Sequence, residues 1–479
     1  MNIKMVGYIL GWVLRFESMF LCLPILVSVI YGENQGFSYV MVAMLCFLIS
    51  LILTYKKPEM NRLCAREGFV SVALSWIVMS VFGALPFVMT KEIPFFVDAL
   101  FETISGFTTT GASILTDVEA LSHTSLFWRS FTHWIGGMGV FVFIMAILPF
   151  LGGTDLNLMK AESPGPSVGK FVPKVKDTAK ILYQIYFFIT VLELVLLLVF
   201  GMPLFDALTT TFGTVGTGGF GIKNDSFASY APALQNIVTI FMILSGMNFT
   251  FYFLLLRKKF SQAVKMEEIR TYLAIIGITV FLVCVYTRPE FGTLEETIRH
   301  SFFQVGSIIT TTGFATTDFN LWPQFPKTIL IILMFVGACA GSTGGGMKVS
   351  RFIIVFKTIK KEIGILIHPR AIKKIQMDGV SVAHETIRAT NVYICSYFMV
   401  FFISVLVLGI DNLDFTTNFT AVAATFNNIG PGMELVGPTS NYSVFSPICK
   451  LILSFDMLAG RLEIFPILML FARRSWKRI

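Results

Sequence analysis

Phe107-Thr108-Thr109-Thr110-Gly111-Ala112-Ser113 is a run of hydroxyl side chains and a glycine inside an otherwise apolar sequence. Three later segments resemble this polar loop 1. They are polar loop 2, Thr214-Val215-Gly216-Thr217-Gly218-Gly219-Phe220, polar loop 3, Thr310-Thr311-Thr312-Gly313-Phe314-Ala315, and, more loosely, polar loop 4, Asn427-Asn428-Ile429-Gly430-Pro431-Gly432. Aligning Gly111, Gly218, Gly313 and Gly430 gives spacings of 107, 95 and 117 residues. We therefore predict four copies of one unit around one pore, with the four loops meeting at its axis.

The composition is that of a membrane protein. The 479 residues are 55% hydrophobic and 14% charged, with a mean hydropathy of +0.75, and a soluble chain of this length needs more polar surface. Apolar stretches of about 20 residues, enough to cross roughly 30 Å of hydrocarbon, recur along the chain. Such continuous runs exclude a membrane β-barrel, whose short strands alternate apolar and polar residues. The predicted fold class is an all-α polytopic membrane protein.

The net charge of +8 is distributed unevenly. Of the 37 Lys and Arg residues, 27 lie in alternate inter-helix segments, namely residues 56–66, 160–180, 257–270, 348–388 and 473–478. This is the positive-inside pattern, which predicts that these segments and both termini lie in the cytoplasm. Because topology explains the positive charge, it does not indicate nucleic-acid binding.

The apolar segments predict an N-terminal helix pair followed by four repeats. Each repeat has a spanning helix, an amphipathic half-helix, a polar loop and a returning span. A half-helix of about 12 residues crosses only about half of the hydrocarbon. The predicted half-helices are residues 95–107, 204–212, 294–308 and 415–426. The predicted returning spans are residues 127–150, 234–256 and 447–471 in repeats 1, 2 and 4, and the return in repeat 3 starts at residue 328. The result is ten spans and four re-entrant hairpins. The predicted boundaries are 1–60 for the helix pair and 61–160, 161–262, 263–375 and 376–479 for pore repeats 1 to 4.

The polar loops have the chemistry of a cation pathway. Irregular backbone at membrane depth is tolerated only where protein buries it or where it lines water. A half-helix that enters from outside directs the negative end of its dipole to the membrane centre, and the loop carbonyls can replace a cation's hydration shell. The aligned glycines are needed for unusual backbone angles. Without carboxylates the loops do not suit a divalent cation. Alternatively, each glycine only ends a helix or permits close helix packing.

Two features below the loops predict a barrier. Residues 337–346, Gly-Ala-Cys-Ala-Gly-Ser-Thr-Gly-Gly-Gly, cannot remain an ordinary helix at about 1 kcal/mol per glycine, so they can form a flexible flap across the pore. A packing kink is an alternative, and so is a phosphate-binding loop, although the Gly-Lys-Ser/Thr order is missing. Arg461 lies mid-span, where a charge is costly. It is expected to face the pore or to pair with Glu463 or Asp456, and both roles can coexist.

The other polar residues do not form a catalytic arrangement. Arg129, His133, Trp134, Glu102 and Asp98 are predicted to brace the outer vestibule through hydrogen bonds. No Ser/His/Asp set or metal-ligand cluster stands out, so no enzyme is predicted. The rival functions are a proton- or sodium-coupled secondary transporter with alternating access and a membrane-embedded enzyme.

These motifs resemble the Trk/Ktr/HKT superfamily of potassium transporters over nearly the whole chain. The residues that carry the resemblance are Ser105-Gly-Phe-Thr-Thr-Thr-Gly111-Ala, Thr217-Gly-Gly-Phe220, Thr310-Thr-Thr-Gly313-Phe, Asn427-Asn-Ile-Gly430-Pro-Gly, Ala340-Gly-Ser-Thr-Gly-Gly-Gly346 and Gly460-Arg461-Leu-Glu-Ile-Phe465. The two additional N-terminal spans are similar to the TrkH type within this superfamily.

The resemblance implies potassium uptake across a bacterial inner membrane through a gated pore. It also implies a homodimer and a cytosolic ring of TrkA-type nucleotide-binding subunits, with no nucleotide on this chain. The implied potassium ligands, mainly backbone carbonyls, are Thr109, Thr110, Gly111, Gly216, Thr217, Gly218, Thr311, Thr312, Gly313, Asn428, Ile429 and Gly430. The implied gate residues are Gly341, Gly344, Gly345, Gly346, Lys348 and Arg461. A glycine at 111, where sodium-transporting plant relatives have serine, favours potassium.

Overall fold

The computed structural model describes residues 1–56, 58, 65–147, 175–370 and 374–476. This part of the chain is helical apart from a two-stranded antiparallel hairpin, β1 (Gln376–Met377) and β2 (Val380–Ser381). Parts of the predicted basic segments and the end of the first returning span, predicted to reach residue 150, lie outside the described residues.

Two long helices precede the repeats. They are α1 (Ile3–Tyr31) and α2 (Gly36–Thr54). The helices approach closely because Gly11 of α1 has no side chain: a Cβ there would lie under 3.0 Å from Leu53 and Thr54. Gly32 ends α1 with a φ of 68°, and the N–H of Glu33 bonds back to the Ser28 carbonyl. This helix end reverses the chain direction and makes α1 and α2 a hairpin.

The four repeats follow in the predicted order. Repeat 1 contains α3 (Ala65–Thr90), α4 (Phe96–Phe107) and α5 (His123–Ile147). Repeat 2 contains α6 (Val175–Val199), α7 (Leu204–Val215), α8 (Pro232–Ser245), α9 (Phe249–Leu256) and α10 (Phe260–Lys265). Repeat 3 contains α11 (Glu267–Thr287), α12 (Leu294–Ile309), α13 (Gln324–Phe335) and α14 (Val349–Ile367). Repeat 4 contains α15 (His384–Leu408), α16 (Phe415–Phe426), α17 (Pro447–Arg461), α18 (Phe465–Phe471) and α19 (Arg473–Trp476).

Short 3-10 turns punctuate the connections between these helices. They are Arg288–Glu290, Phe319–Leu321, Gly409–Asp411, Glu434–Val436 and Tyr442–Val444. In the described part of the chain, all five lie in repeats 3 and 4, three of them between a half-helix and its returning helix.

The half-helices agree closely with the predicted ones. The bounds of α16 match residues 415–426, α4 starts one residue later than predicted, and α12 ends one residue later. Helix α7 continues three residues beyond the predicted end at residue 212. Its last turn is stabilised by the Thr214 hydroxyl, which donates to the Thr210 carbonyl at 2.9 Å.

Three returning helices are broken, whereas the sequence predicted a break only in the third. In repeat 2, α8 and α9 meet at an angle of 90°. In repeat 4, three residues separate α17 from α18, and two of them, Glu463 and Ile464, have positive φ angles of 55° and 68°. The prediction of continuous spans over residues 234–256 and 447–471 was therefore wrong. In repeat 2 the physical reason is local, because Asn248 accepts from the N–H of Thr250 and starts a new helix.

The helices have the length and apolarity of membrane spans. Six described helices can cross a membrane by length and composition, and the bent pair α8–α9 makes a seventh. The fold is therefore an all-α polytopic membrane fold, while the total of ten spans stays a prediction.

Both ends of the described chain lie at the same end of the helix bundle. The backbone N–H of Asn2 donates to Glu67 at 2.7 Å, so the N-terminus touches the start of α3. Arg66 Nη1 donates to the Arg474 carbonyl at 3.3 Å, so the C-terminal helix contacts the same place. This arrangement agrees with an even number of crossings.

Candidate functional site

The four polar loops share one backbone conformation. Each half-helix ends with a residue in the left-handed region. These residues are Thr109, Thr217, Thr311 and Asn428, with φ angles of 55°, 54°, 59° and 55°. The next N–H reaches back five residues, as from Thr110 to the Ser105 carbonyl at 2.9 Å. This is a Schellman helix end, which normally has glycine at the left-handed position. A β-branched threonine is strained there and is held by the surrounding structure.

A glycine with positive φ follows two residues later in every loop. The four are Gly111, Gly219, Gly313 and Gly430, with φ angles of 80°, 81°, 90° and 100°. The sequence alignment had placed Gly218 in this set, so the register of polar loop 2 was wrong by one residue. Its two consecutive glycines concealed the register, because only the position relative to Thr217 distinguishes them. Gly218 instead matches Thr110, Thr312 and Ile429.

These four glycines close a ring between neighbouring loops. A Cβ at Gly111 would lie under 3.0 Å from the Gly218 carbonyl oxygen, and one at Gly219 would meet the Thr312 carbonyl oxygen. The same relation joins Gly313 to the Ile429 carbonyl and Gly430 to the Thr110 carbonyl. Each loop therefore places a glycine against the carbonyl that precedes the equivalent glycine of its neighbour. The arrangement has approximate fourfold symmetry and no room for side chains at the glycine positions.

Hydroxyl and amide groups of the loops bond back to carbonyls of the preceding half-helices. Thr108 Oγ1 donates to the Ile104 carbonyl at 2.6 Å, and Thr310 Oγ1 donates to the Gly306 carbonyl at 2.7 Å. In polar loop 4, Asn427 Nδ2 donates to the Ala423 carbonyl at 2.9 Å. The asparagine thus makes the bond to the carbonyl four residues earlier that threonine makes in loops 1 and 3.

Among the described residues, one ring carbonyl accepts a hydrogen bond from a side chain. Tyr442 Oη donates to the Gly430 carbonyl at 2.7 Å, and the N–H of Tyr442 bonds to the Ser113 carbonyl at 2.8 Å. The tyrosine therefore joins polar loops 4 and 1. This bond engages one lone pair of the Gly430 oxygen, which distinguishes that oxygen from its three equivalents.

A cavity ends at the ring on the face away from residues 341–346, and we name it the outer cavity. All four positive-φ glycines line it, together with Arg129, Lys223 and Tyr442. Arg129 pairs with the buried Glu102 at 2.6 Å, and Glu102 also accepts from Ser113 and from the Ile114 N–H.

Most of the residues predicted to brace this region make the expected polar contacts. Asp98 pairs with Lys450 at 2.6 Å. Trp134 instead bonds to Thr190 of α6 at 3.2 Å and belongs to the packing between α5 and α6. Among the described residues that line the cavity there is no Asp or Glu, and its polar groups are backbone, hydroxyl, amide and cationic groups.

His133 of α5 connects polar loops 1 and 2. Its Nδ1 lies 2.8 Å from the Gly106 carbonyl, and its Nε2 lies 3.1 Å from the N–H of Phe220. The carbonyl needs a donor and the N–H needs an acceptor, so a neutral ring protonated on Nδ1 satisfies both. The ring also packs against Gly218, where a Cβ would overlap it.

The glycine-rich loop (residues 341–346) lies directly against the polar loops. The N–H of Gly345 donates to Thr311 Oγ1 at 2.6 Å. Any side chain at Gly345 would collide with Asn428, and one at Gly344 would be close to the Thr310 carbonyl. The loop therefore blocks the space next to polar loops 3 and 4, on the side away from the outer cavity.

Two cationic residues hold the glycine-rich loop in place. Arg461 donates to the Thr343 carbonyl at 2.8 Å and to the Gly136 carbonyl at 2.6 Å. The fully buried Lys348 ammonium donates to the carbonyls of Gly344 and Gly345. The six residues predicted to form the gate are therefore brought together, with Lys348 and Arg461 bonded to the loop backbone.

The acidic residues offered as alternative partners of Arg461 have contacts elsewhere. Glu463 pairs with Arg351 at 2.5 Å, and Asp456 accepts from Ser404 at 2.7 Å. Arg461 itself ends α17, immediately before the break in this returning span. It is therefore at a helix end rather than within a continuous helix.

Sequence reasoning missed several residues of this site. Tyr442 carries no recognisable signal, because tyrosine is common in membrane helices and loops. The resemblance did name Thr109, Thr217 and Thr311 as potassium ligands, but the sequence did not reveal their strained backbone. Gly136 and Gly137 could have been found as a glycine pair within a spanning helix. A Cβ at Gly136 would overlap the Phe107 carbonyl, and one at Gly137 would crowd Gly216.

The atoms of the ring that could coordinate a cation are neutral oxygens. Within the described residues, no group of three or more His, Cys, Asp or Glu side chains could hold a metal ion. Carbonyl and hydroxyl oxygens without nearby free carboxylates suit a monovalent cation better than a divalent one.

Comparisons with known proteins agree with this geometry. The family model described as "TrkH: Cation transport protein" matches residues 35–285 and 269–478. The chain is 35% identical over 485 residues to the Trk system potassium uptake protein TrkH of Salmonella typhimurium, and 34% identical over 487 residues to that of Halomonas elongata. Both alignments cover 100% of each chain.

A solved structure supports the same relation. The crystal structure of the potassium transporter TrkH from Vibrio parahaemolyticus superimposes with a TM-score of 0.89 at 32% identity, over 100% of both chains. The family match over most of the sequence and the full-length identity show that this chain belongs to the TrkH family of cation transport proteins.

Proposed function

We propose that this protein takes up potassium through a gated pore whose selectivity filter is the ring formed by the four polar loops. The observation that carries the proposal is the repeated contact between each positive-φ glycine and a carbonyl of the neighbouring loop. This contact gathers four sets of backbone carbonyls around one axis. The relatives are named as potassium uptake proteins, which supports potassium as the ion.

The half-helices stabilise a cation at this place. Each of α4, α7, α12 and α16 ends at a polar loop, so the negative ends of four helix dipoles converge there. Carbonyl oxygens can replace the hydration shell of a potassium ion without a fixed negative charge. The proposed ligands are the carbonyls of the predicted residues, with Gly219 added as the equivalent of Gly111.

The glycine-rich loop is the proposed barrier on the opposite side from the outer cavity. Its contact with Thr311 and its bonds to Lys348 and Arg461 support this role. An ion that leaves the ring has to displace the loop, because the loop backbone occupies the adjoining space. The filter then selects the ion, and the loop controls its release.

The setting of the pore follows from the same reasoning. We place the protein in a bacterial inner membrane as a homodimer, with both termini in the cytoplasm and with TrkA-type nucleotide-binding subunits as its regulators. The common position of both chain ends and the basic inter-helix segments support the orientation. Crosslinking of the protein in native membranes, with and without the regulatory subunit, tests the assembly.

The function is tested by measuring ion fluxes in proteoliposomes that contain the purified protein. We expect potassium and rubidium to enter faster than sodium and lithium. Equal fluxes of all four ions, or no flux from folded protein with or without a TrkA-type regulator, contradict the proposal. Single-channel recording separates a pore from an alternating-access transporter, because only a pore gives unitary currents.

A further inference from the structure

The Glu268 carboxylate bonds to the chain both before and after the glycine-rich loop. Glu268 lies in the first turn of α11 and is 3% exposed. Its Oε1 accepts from the N–H of Ala340 at 2.7 Å and from the N–H of Ser350 at 3.2 Å. Ala340 directly precedes the loop, and Ser350 follows it by four residues. A single side chain therefore holds both segments that flank the loop, at Ala340 and at Ser350.

The other carboxylate oxygen is held by the broken helix of repeat 2. Asn248 Nδ2 donates to Glu268 Oε2 at 3.2 Å, while Asn248 Oδ1 accepts from the Thr250 N–H at 2.9 Å. The cap of α9 thus sets the orientation of the asparagine amide, and the amide sets the orientation of the carboxylate. The chain of bonds runs from the break of repeat 2 to the loop of repeat 3.

The backbone at the start of the glycine-rich loop also bonds to the break between α8 and α9 in repeat 2. The N–H of Cys339 bonds to the Gly246 carbonyl at 3.0 Å, and the N–H of Phe249 bonds to the Gly341 carbonyl at 3.1 Å. The start of the glycine-rich loop is therefore docked in the 90° bend between α8 and α9.

The charges on the two kinds of anchor are complementary to the groups that they bind. Lys348 and Arg461 are cationic and bind carbonyls inside the loop, whereas Glu268 is acidic and binds N–H groups at its flanks. A carboxylate buried among membrane helices is costly unless its bonds are satisfied, and intramembrane acids are usually functional. Bonds between a charged group and backbone N–H groups are among the stronger hydrogen bonds in proteins.

We propose that Glu268 is the positioning residue that fixes both ends of the glycine-rich loop beneath the filter and so keeps the unstimulated pathway closed. Its effect on ion flow rests on the proposed function, but its effect on the loop does not. Release of Glu268 frees Ala340 and Ser350 together, which lets the whole loop move away from Thr311.

The test compares Glu268→Gln with Glu267→Gln in reconstituted full-length protein. Glu267 is the adjacent acid, and it pairs with Lys357 of α14 at 2.6 Å instead of with the loop flanks. One readout is modification of Cys339, which is fully buried beside the loop, by a charged methanethiosulfonate reagent, quantified on its own peptide by mass spectrometry. The other is rubidium flux without any regulatory subunit. We expect E268Q to raise both several-fold and E267Q to change neither.

A compensating double variant separates positioning from general destabilisation. In Glu268→Gln the side chain cannot satisfy both sides. With its oxygen on the loop-flank N–H groups, its NH2 faces the Asn248 NH2, donor against donor, and in the opposite orientation it loses the loop flanks. Adding Asn248→Asp restores an acceptor at that contact while still capping α9. We expect N248D/E268Q to return Cys339 modification towards the level of the unchanged protein.

The outcomes are distinguishable. The proposed role of Glu268 is overturned if Cys339 modification is unchanged in folded E268Q, or if E267Q and E268Q have equal effects. It is also overturned if the double variant shows no recovery. Increased modification that the double variant reverses supports the anchor. If rubidium flux is absent in every variant, including with a TrkA-type regulator, while Cys339 responds in this way, then the proposed transport function fails and the anchor stands.

Discussion

At the scale of single residues, the strained threonines explain how the filter and the glycine-rich loop are connected. Thr109 and Thr311 occupy equivalent positions with almost the same backbone angle. Their hydroxyls differ: Thr311 Oγ1 accepts from the Gly345 N–H, while Thr109 Oγ1 is buried without a hydrogen-bond partner among the described residues. The approximate symmetry of the loops therefore makes Thr109 a matched control for Thr311.

We predict that Thr311→Val raises the basal rubidium flux several-fold, whereas Thr109→Val does not. Valine keeps the shape and the β-branching of threonine but cannot accept the Gly345 N–H, so only the first substitution frees the glycine-rich loop. The fluxes are compared in proteoliposomes at equal protein density. An equal increase in both variants would show that the hydroxyl of Thr311 has no special link to the loop.

At the scale of helices, the N-terminal pair stabilises repeat 1 through a helix cap. Glu33, in the turn between α1 and α2, accepts from the N–H groups of His123 and Thr124 at 2.8 and 2.9 Å. It also accepts from the Thr124 hydroxyl at 2.6 Å. Partial burial opposes ionisation of this carboxyl, but the hydrogen bonds from Thr124 and His123 outweigh that effect and lower its pKa below 4.5.

The sign of the pH dependence follows from that shift. Because the folded-state pKa of Glu33 is depressed, its stabilisation is present above the unfolded-state pKa and is lost as the pH falls through the folded-state pKa. We predict that Glu33→Gln lowers the free energy of unfolding at pH 7 by about 1 kcal/mol, as for other N-caps. Thermal unfolding in detergent at pH 7 and near pH 3 measures this. A deficit of the same size at both pH values would contradict it.

Another prediction at this scale concerns the end of α17. Arg461→Ala removes the bonds to the Thr343 and Gly136 carbonyls and should raise basal flux several-fold, because the loop loses one of its two cationic anchors. Arg15→Ala is the control, since Arg15 joins α1 to α2 through Ser50 and Thr54. Unaltered or lower flux in correctly folded R461A protein would remove Arg461 from the barrier.

The sequence predicted those elements whose signals are local and repeated. The half-helices were found because they are too short to span the membrane. The C-terminal ends of α4 and α16 agreed with the prediction to the residue. The second and fourth returning helices were predicted to be continuous because their breaks contain only single residues such as Gly246, Gly460 and Pro466. Membrane helices tolerate such single residues, unlike the glycine run of residues 341–346. The register of polar loop 2 was predicted wrongly for a related reason. Gly219 differs from Gly218 in its φ angle and in its contacts with the neighbouring loop, and neither can be read from the sequence.

At the scale of the whole molecule, the ring is a single structure to which every repeat contributes, yet its four contacts differ. Side chains at Gly111, Gly219 and Gly313 would overlap a neighbouring carbonyl oxygen severely. A Cβ at Gly430 would lie 2.7 Å from the nearest one, that of Thr110. The contact between polar loops 4 and 1 is thus the loosest, and Asn428 Nδ2 and Tyr442 bridge it.

We therefore predict a graded response when each ring glycine is changed to alanine. The ratio of potassium to sodium flux should fall strongly in Gly111→Ala, Gly219→Ala and Gly313→Ala, because a Cβ forces neighbouring loops apart and a positive φ strains alanine. It should fall least in Gly430→Ala. Gly277→Ala on α11, where a Cβ meets open space, should leave the ratio unchanged. Competitive rubidium and sodium uptake in one proteoliposome preparation gives the ratio. A fall in Gly430→Ala as large as in the other three would mean that selectivity is set by the ring as a uniform whole rather than by its tightest contacts.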